Sequence, residues 1–208
     1  FDIVARSTMQ KHVALMCQFP CKTGNFSILD IGGNVVVNST GLYHFAQMAD
    51  IYQHKILGTK NPRIGLLNIG TEEDKGRSYV KKAAKELRKN EDKLHGRYIG
   101  FVEPRQMYEG IIDIVVCDGE RGNLFLKSCE ATGEFFHDMI KSGIYSNSIV
   151  EFLIRAIGYL FHRNLYAEIK EKIDPNQHGF APLLGVDGNI GVLHGAANEK
   201  AMEVSLHK

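Results

Sequence analysis

Three loops in this sequence have the composition of an anion cradle, and each follows a short apolar run. They are Asp30-Ile31-Gly32-Gly33-Asn34, Asn68-Ile69-Gly70, and Asp118-Gly119-Glu120-Arg121-Gly122-Asn123. Glycine lets the chain turn tightly and approach a ligand closely, and a loop that opens a helix aims backbone N–H groups at an anion. None of the loops matches the P-loop or the dinucleotide-binding glycine pattern. Each, taken singly, is equally explained as a tight strand-to-helix turn. Two cations stand near them. Lys75 lies in the charged segment Gly70–Gly76, and Lys127 lies one turn inside the helix expected after Gly122. Lys75 reads either as an ammonium placed over an anionic substrate and steadied by a neighbouring carboxylate, or as part of a solvated loop. Lys127 reads as pointing back to the same cleft or as snorkelling at a surface. His194, between Leu193 and Gly195, ends an expected strand. That position suits acid–base work or substrate binding, with a structural hydrogen-bonded histidine as the alternative.

Covalent catalysis is not indicated. No Ser sits in a nucleophile elbow, and no His-x-x-Glu-His metal helix is present. The four cysteines, Cys17, Cys21, Cys117 and Cys129, include no second pair at zinc-site spacing. They are expected to be reduced and mostly buried. Neither a metal nor a cofactor is expected. The 208 residues carry 25 Lys plus Arg against 24 Asp plus Glu, a net charge of +1, so no whole-molecule attraction to nucleic acid is expected. With 44% hydrophobic and 24% charged residues, the chain falls outside the disordered, collagenous and coiled-coil classes.

The elements that must position these residues alternate. Strands are expected at Ser27–Ile31, Arg63–Ile69, Arg97–Phe101 and Ile111–Cys117. Helices are expected at Thr40–Leu57, Tyr79–Lys89 and Gly122–Lys141, with a short turn or helix at Gln106–Glu109. Buried strands alternating with amphipathic helices predict an α/β fold with a mostly parallel sheet and flanking helices. Ligands in such folds sit beyond the carboxyl ends of the strands, so the three loops are expected to edge one site. Phe1–Phe19 is mixed and yields no boundaries. The chain is read as a single α/β domain over 1–208 with a helical tip or insertion at 142–176.

Ile149–Ile173 reads as a long helix, apolar almost all round in its first half. One reading is a core or dimer-interface helix. The other is a projecting tip on a membrane surface, with Phe152, Ile154, Ile157 and Phe161 meeting the acyl region and Arg155, His162 and Arg163 the headgroups. The stretch Ser148–Leu165 carries Glu151, Arg155 and Arg163, which argues against a membrane span. No secretory leader is legible. Gly179–Gly195 holds two short apolar strands around the hairpin signal Asp187-Gly188, and Asn198–Leu206 reads as a last helix.

The segments ILDIGGN, NPRIGLLNIGTEEDKG, DIVVCDGERGNLFLK and APLLGVDGNIGVLHGAANEKA occur in that order. Together they resemble the bacterial phosphate acyltransferase family, also called fatty acid/phospholipid synthesis proteins. The resemblance covers about Phe26 to the C-terminus. It implies an isocitrate/isopropylmalate dehydrogenase-like fold with a projecting helical hairpin. It implies transfer of a long acyl chain from acyl carrier protein to inorganic phosphate, giving acyl phosphate for phospholipid synthesis. It further implies a cytoplasmic homodimer, peripherally bound to the inner membrane. Phosphate is itself a nucleophile, so the missing covalent triad agrees. On this resemblance Asp30, Gly33, Asn34, Asn68, Gly70, Asp118, Gly119 and Asn123 border the cleft. Lys75 and Lys127 bind phosphate, and His194 assists thiolate departure. Family members begin with a glycine-rich strand of the type D-x-M-G-G-D, which this sequence lacks, so roughly their first third is expected to be absent here. Two other readings remain: a short-chain phosphotransacetylase-like or dehydrogenase-like enzyme, and a non-catalytic membrane- or partner-binding module on the same scaffold.

Overall fold

A computed structural model gives the fold, and the structure describes residues 13–144 and 180–193. The chain divides into two compact units. The first comprises Phe1–Leu124 with Phe180–Leu193, and the second Phe125–Gly179 with His194–Lys208.

The first unit is built on a sheet with seven strands among the described residues: β1 (Ala14–Cys21), β2 (Gly24–Leu29), β3 (Arg63–Leu67), β4 (Arg97–Val102), β5 (Ile114–Val116), β6 (Ala181–Leu184) and β7 (Gly191–Val192). Their order is β4-β3-β5-β2-β1-β6-β7. The four strands β4, β3, β5 and β2 run parallel. The strands β1, β6 and β7 continue the sheet antiparallel. The three inner parallel strands β3, β5 and β2 are short and mostly buried, as strands covered on both faces are, while the edge strand β4 is exposed at Arg97 and Ile99.

The described residues include four α-helices, α1 (Ser39–Lys55), α2 (Ser78–Lys89), α3 (Pro104–Tyr108) and α4 (Gly119–Ile144), the last running from the first unit into the second. Asn38 caps α1 by accepting the Gly41 N–H at 2.8 Å, which fixes its start one residue before the expected position. Leu42, Phe45, Ala46 and Ala49 of α1 and Val80, Ala83, Ala84 and Leu87 of α2 form one core with Leu29, Ile64, Leu66, Ile114 and Val116 of the parallel strands. Burial of these apolar faces, about 25 cal/mol per Å², is the dominant force holding α1 and α2 on the sheet.

The α/β architecture is the expected one, with three local corrections. The mixed N-terminal stretch forms β1, paired with β2 from Met16↔Leu29 to Cys21↔Gly24. The second strand stops at Leu29, so Asp30 and Ile31 belong to the loop. The fifth strand keeps only Ile114–Val116, because Asp113 turns its carboxylate to Arg63 at 2.8 Å. The hairpin expected around Asp187-Gly188 is present as β6 and β7.

In the second unit α4 continues from Phe125. Phe135 and Phe136 pack edge to face at 5.7 Å, and both are exposed. The tip expected at 142–176 lies, from residue 145 on, outside the described residues. So do the helices expected at 149–173 and 198–206. No described helix is long and apolar enough to cross a membrane.

Candidate functional site

In a parallel sheet the loops that follow each strand emerge on one edge. Here the loops after β2, β3 and β5 do so, and hydrogen bonds join the first of them to the last. Asp30 N–H donates to Cys117 O at 3.1 Å, and Gly119 N–H donates to Asn34 O at 2.8 Å. A Cβ at Gly122 would strike the carbonyl oxygen of Asp30, so glycine there lets the first turn of α4 pack directly on the Asp30 loop. Asn123 stands beside Gly32 on the same turn.

Asp30 is wholly buried. Its Oδ1 accepts from the N–H groups of Leu15, Gly32 and Gly33 at 3.1, 3.2 and 2.9 Å. Its Oδ2 accepts from Asn34 N–H at 2.6 Å and from Asn34 Nδ2 at 2.8 Å. The Asn34 amide also donates to Val13 O. This corrects the expected use of the glycine loop. Its N–H groups do not face an incoming anion, because the loop's own carboxylate takes them first. Asp30 holds the loop of Gly33 and Asn34 from its buried position.

The tip of β5 is organised by Asp118, also buried. Its carboxylate accepts the Arg121 N–H at 2.9 Å, as an N-cap of α4 does, and the Tyr79 hydroxyl at 2.5 Å. Arg121 Nη1 lies 3.5 Å from the same carboxylate, and its guanidinium sits 5.7 Å from the Tyr79 ring centroid. Burial, with Asp118 adding to it, pushes the Tyr79 hydroxyl up to about 12. Tyr79 therefore stays a proton donor and ties the start of α2 to the start of α4.

The loop after β3 is held by Asn68. Its Nδ2 donates to Gly70 O at 3.1 Å and to Lys75 O at 3.2 Å, and its N–H donates to Val102 O at 3.0 Å. This fixes the backbone of Lys75 while leaving the side chain in solvent. Lys75 Nζ donates to Glu72 at 2.5 Å, and that bond raises its pKa while lowering that of Glu72. The carboxylate beside Lys75 is thus Glu72, and both side chains are exposed.

The structure thus joins Asp30, Gly33, Asn34, Asp118, Gly119 and Asn123 by direct contact. Asn68, Gly70 and Lys75 form one loop, which leads into α2 and so to Tyr79 and Asp118. Lys127 belongs to the second unit, is exposed, and donates to Glu130 at 2.8 Å. His194, Phe152, Ile154, Ile157 and Phe161 lie outside the described residues. Sequence reasoning missed Arg121 and Tyr79. The signal for both was positional: each falls in the first turn of a helix that begins at a strand-tip loop.

Lys75 and Arg121 are the cations of these loops, paired with Glu72 and Asp118 respectively. Burial raises the Cys117 thiol, the opposite of what an activated nucleophile needs. Among the described residues no cluster of three His, Cys, Asp or Glu side chains could hold a metal ion.

Comparison with known proteins follows the same direction. A profile of the family "FA_synthesis: Fatty acid synthesis protein" matches residues 3–208. A phosphate acyltransferase of Geotalea uraniireducens is 39% identical over 185 residues, covering 89% of this chain and 51% of that protein. One from Caldicellulosiruptor bescii is 39% identical over 207 residues, covering 99% of this chain and 59% of that protein. The chain thus spans about half the length of the curated relatives it matches. Among solved structures, the EutD phosphotransacetylase from Staphylococcus aureus superposes with a TM-score of 0.50 at 16% identity, over 64% of this chain and 46% of that one. That likeness speaks to the fold alone. The matched profile and the loops it spans place this chain in the fatty acid synthesis protein family.

Proposed function

We propose that the protein transfers a long-chain fatty acyl group from the thioester of acyl carrier protein to inorganic phosphate. A phosphate oxygen attacks the thioester carbonyl carbon, the carbon–sulfur bond breaks, and the thiolate leaves and takes up a proton. The product is acyl phosphate, a precursor for phospholipid synthesis. The protein's task is to hold a dianion against the carbonyl and to stabilise the tetrahedral oxyanion. In this reading Lys75, Lys127 and Arg121 meet the phosphate. Asn68, Gly70, Gly119 and Asn123 border it, Asp30, Asn34 and Asp118 set the frame, and His194 returns the proton to the leaving thiolate. The observation that carries the reading is the junction of the Asp30 and Asp118 loops, with Tyr79, from the helix that follows the Lys75 loop, hydrogen-bonded to Asp118 beside Arg121.

The long-chain preference draws support from the same loops. Val35, Val36 and Ile69 are 66%, 86% and 75% exposed, which offers an acyl chain apolar contact where the thioester must sit. A short-chain phosphotransacetylase has no use for such contacts. The further roles proposed are a homodimer, and peripheral docking on the inner membrane through a helical tip at 142–176 by way of Phe152, Ile154, Ile157 and Phe161. Flotation with anionic liposomes tests the docking, and Phe152→Glu with Phe161→Glu should abolish it.

The test of the chemistry is acyl phosphate formation from long-chain acyl carrier protein and phosphate, trapped with hydroxylamine. Replacing Lys75, Lys127 or His194 with Ala should each lower it at least tenfold. Turnover within a few-fold of the parent for all three would show the assignment to be wrong.

A further inference from the structure

The two cations of the strand-tip loops are held in different ways. Lys75 Nζ donates to Glu72 at 2.5 Å, a short charge-assisted bond. Arg121 Nη1 stands 3.5 Å from Asp118 Oδ2, beyond the usual N–H···O hydrogen-bond range. Among the described residues no acceptor takes a hydrogen bond from the Arg121 guanidinium, and its side chain, 25% exposed, reaches solvent.

An arginine one helical turn after a buried aspartate meets it readily, and the strongest pairing is a fork on both carboxylate oxygens. Here both oxygens already carry short bonds. Asp118 Oδ1 accepts the Arg121 backbone N–H at 2.9 Å. Asp118 Oδ2, the oxygen nearest the guanidinium, accepts the Tyr79 hydroxyl at 2.5 Å. The fork therefore does not close. The Tyr79 ring has a second part in this. The guanidinium lies 5.7 Å from its centroid, within reach of a cation–π attraction that steadies the cation without using an N–H group. Burial, with Asp118 adding to it, pushes the Tyr79 hydroxyl up to about 12, so it remains a donor at neutral pH. Tyr79 comes from α2, while Asp118 and Arg121 belong to the start of α4. Only the folded chain brings the three together.

We propose that Tyr79 is a positioning residue for anion binding: its hydroxyl occupies Asp118 and its ring carries Arg121, so the guanidinium keeps its N–H fork for a phosphate oxyanion. The identity of the anion rests on the acyl-transfer reading; the new element is what sets the affinity. Without the hydroxyl, Arg121 closes on Asp118. The charge of the edge is then unchanged, but the donors are taken. Phosphate affinity falls although no cation has been removed. That consequence separates Tyr79 from a residue that only braces α2 against α4.

The test titrates the 208-residue chain with inorganic phosphate and follows amide and arginine side-chain resonances. The proteins compared are the parent, Tyr79→Phe, Arg121→Ala and the double variant. Tyr79→Phe should weaken phosphate binding about tenfold. Added to Arg121→Ala, it should change affinity by no more than about twofold, because the two act as one unit. A second readout needs neither ligand nor a stable variant. In the parent without phosphate, the Arg121 Nη resonances should be averaged by rotation, and in Tyr79→Phe they should be resolved by contact with Asp118. Resolved Nη resonances in the ligand-free parent would overturn the proposal. So would a parent that binds no phosphate, unchanged affinity in Tyr79→Phe, or an equal loss with and without Arg121. Acyl phosphate formed with the parent's phosphate KM in Tyr79→Phe would sink this proposal and spare the acyl-transfer reading. That reading fails separately, by absence of acyl phosphate from the parent whatever Tyr79→Phe does to phosphate binding.

Discussion

Asp30 collects the N–H groups of Leu15, Gly32, Gly33 and Asn34 together with the Asn34 amide. An isosteric Asn would turn a donor toward some of those donors. Asp30→Asn is therefore expected to destabilise the fold by about 3 kcal/mol, read as a fall in urea midpoint at unchanged slope. A change below half that size would mean the loop holds its shape by other means. Tyr79→Phe removes one bond to the buried Asp118 carboxylate, which keeps Arg121 as a partner. Its cost should be smaller, about 1.5 kcal/mol, in the same assay. The sequence pointed to Asp30, Gly33, Asn34 and Asp118 as one group but assigned the loop the wrong facing. Composition identifies a turn rich in N–H groups. Whether those groups face out to a ligand or in to a carboxylate a few residues back depends on backbone torsions that composition does not encode.

Elements buried on both faces were the easiest to read. β3 and β5 show as continuous apolar runs between turn residues, and α1 and α2 show as apolar stripes at helical spacing. β1 was not legible. Its burial alternates unevenly, and Pro20 lies within it, so neither the strand nor the helix period stands out. Its pairing with β2 is set across a turn by tertiary contact. Two predictions belong at this scale. Gly122→Ala should cost at least 2 kcal/mol, because its Cβ meets the Asp30 backbone rather than a flexible side chain. Thermal unfolding reads it, and a midpoint within a degree of the parent would refute the close packing of α4 on that loop. The second concerns Asp113 at the start of β5. Burial acts to raise its pKa, but the Arg63 guanidinium and backbone N–H outweigh burial, and the net direction is down. A carboxyl lowered in the folded state stabilises fully above its unfolded value, about 4, and loses that contribution as pH falls through the folded value. Stability should thus fall with acid below about pH 4, and Asp113→Asn should flatten that part of the profile. An unchanged slope would contradict the pairing.

Across the whole molecule, the α/β class and the order of strands and helices followed from pattern, because buried strands and amphipathic helices alternate along the chain. What the pattern did not carry was the choice of cation. Lys75 was visible as a charge between glycines. Arg121 was not, since its value comes from Tyr79, which lies forty-two positions earlier in the chain and meets it only in the fold. The chemistry proposed here requires this edge to take an oxyanion through side chains. Titration of the chain with inorganic phosphate, followed by amide and arginine side-chain resonances, tests that requirement most directly. The account predicts saturable shifts concentrated at residues 70–76 and 118–123, weakened at least tenfold by Lys75→Ala or Arg121→Ala and untouched by Lys60→Ala. Shifts scattered over the surface, or binding indifferent to both substitutions at the edge, would contradict it.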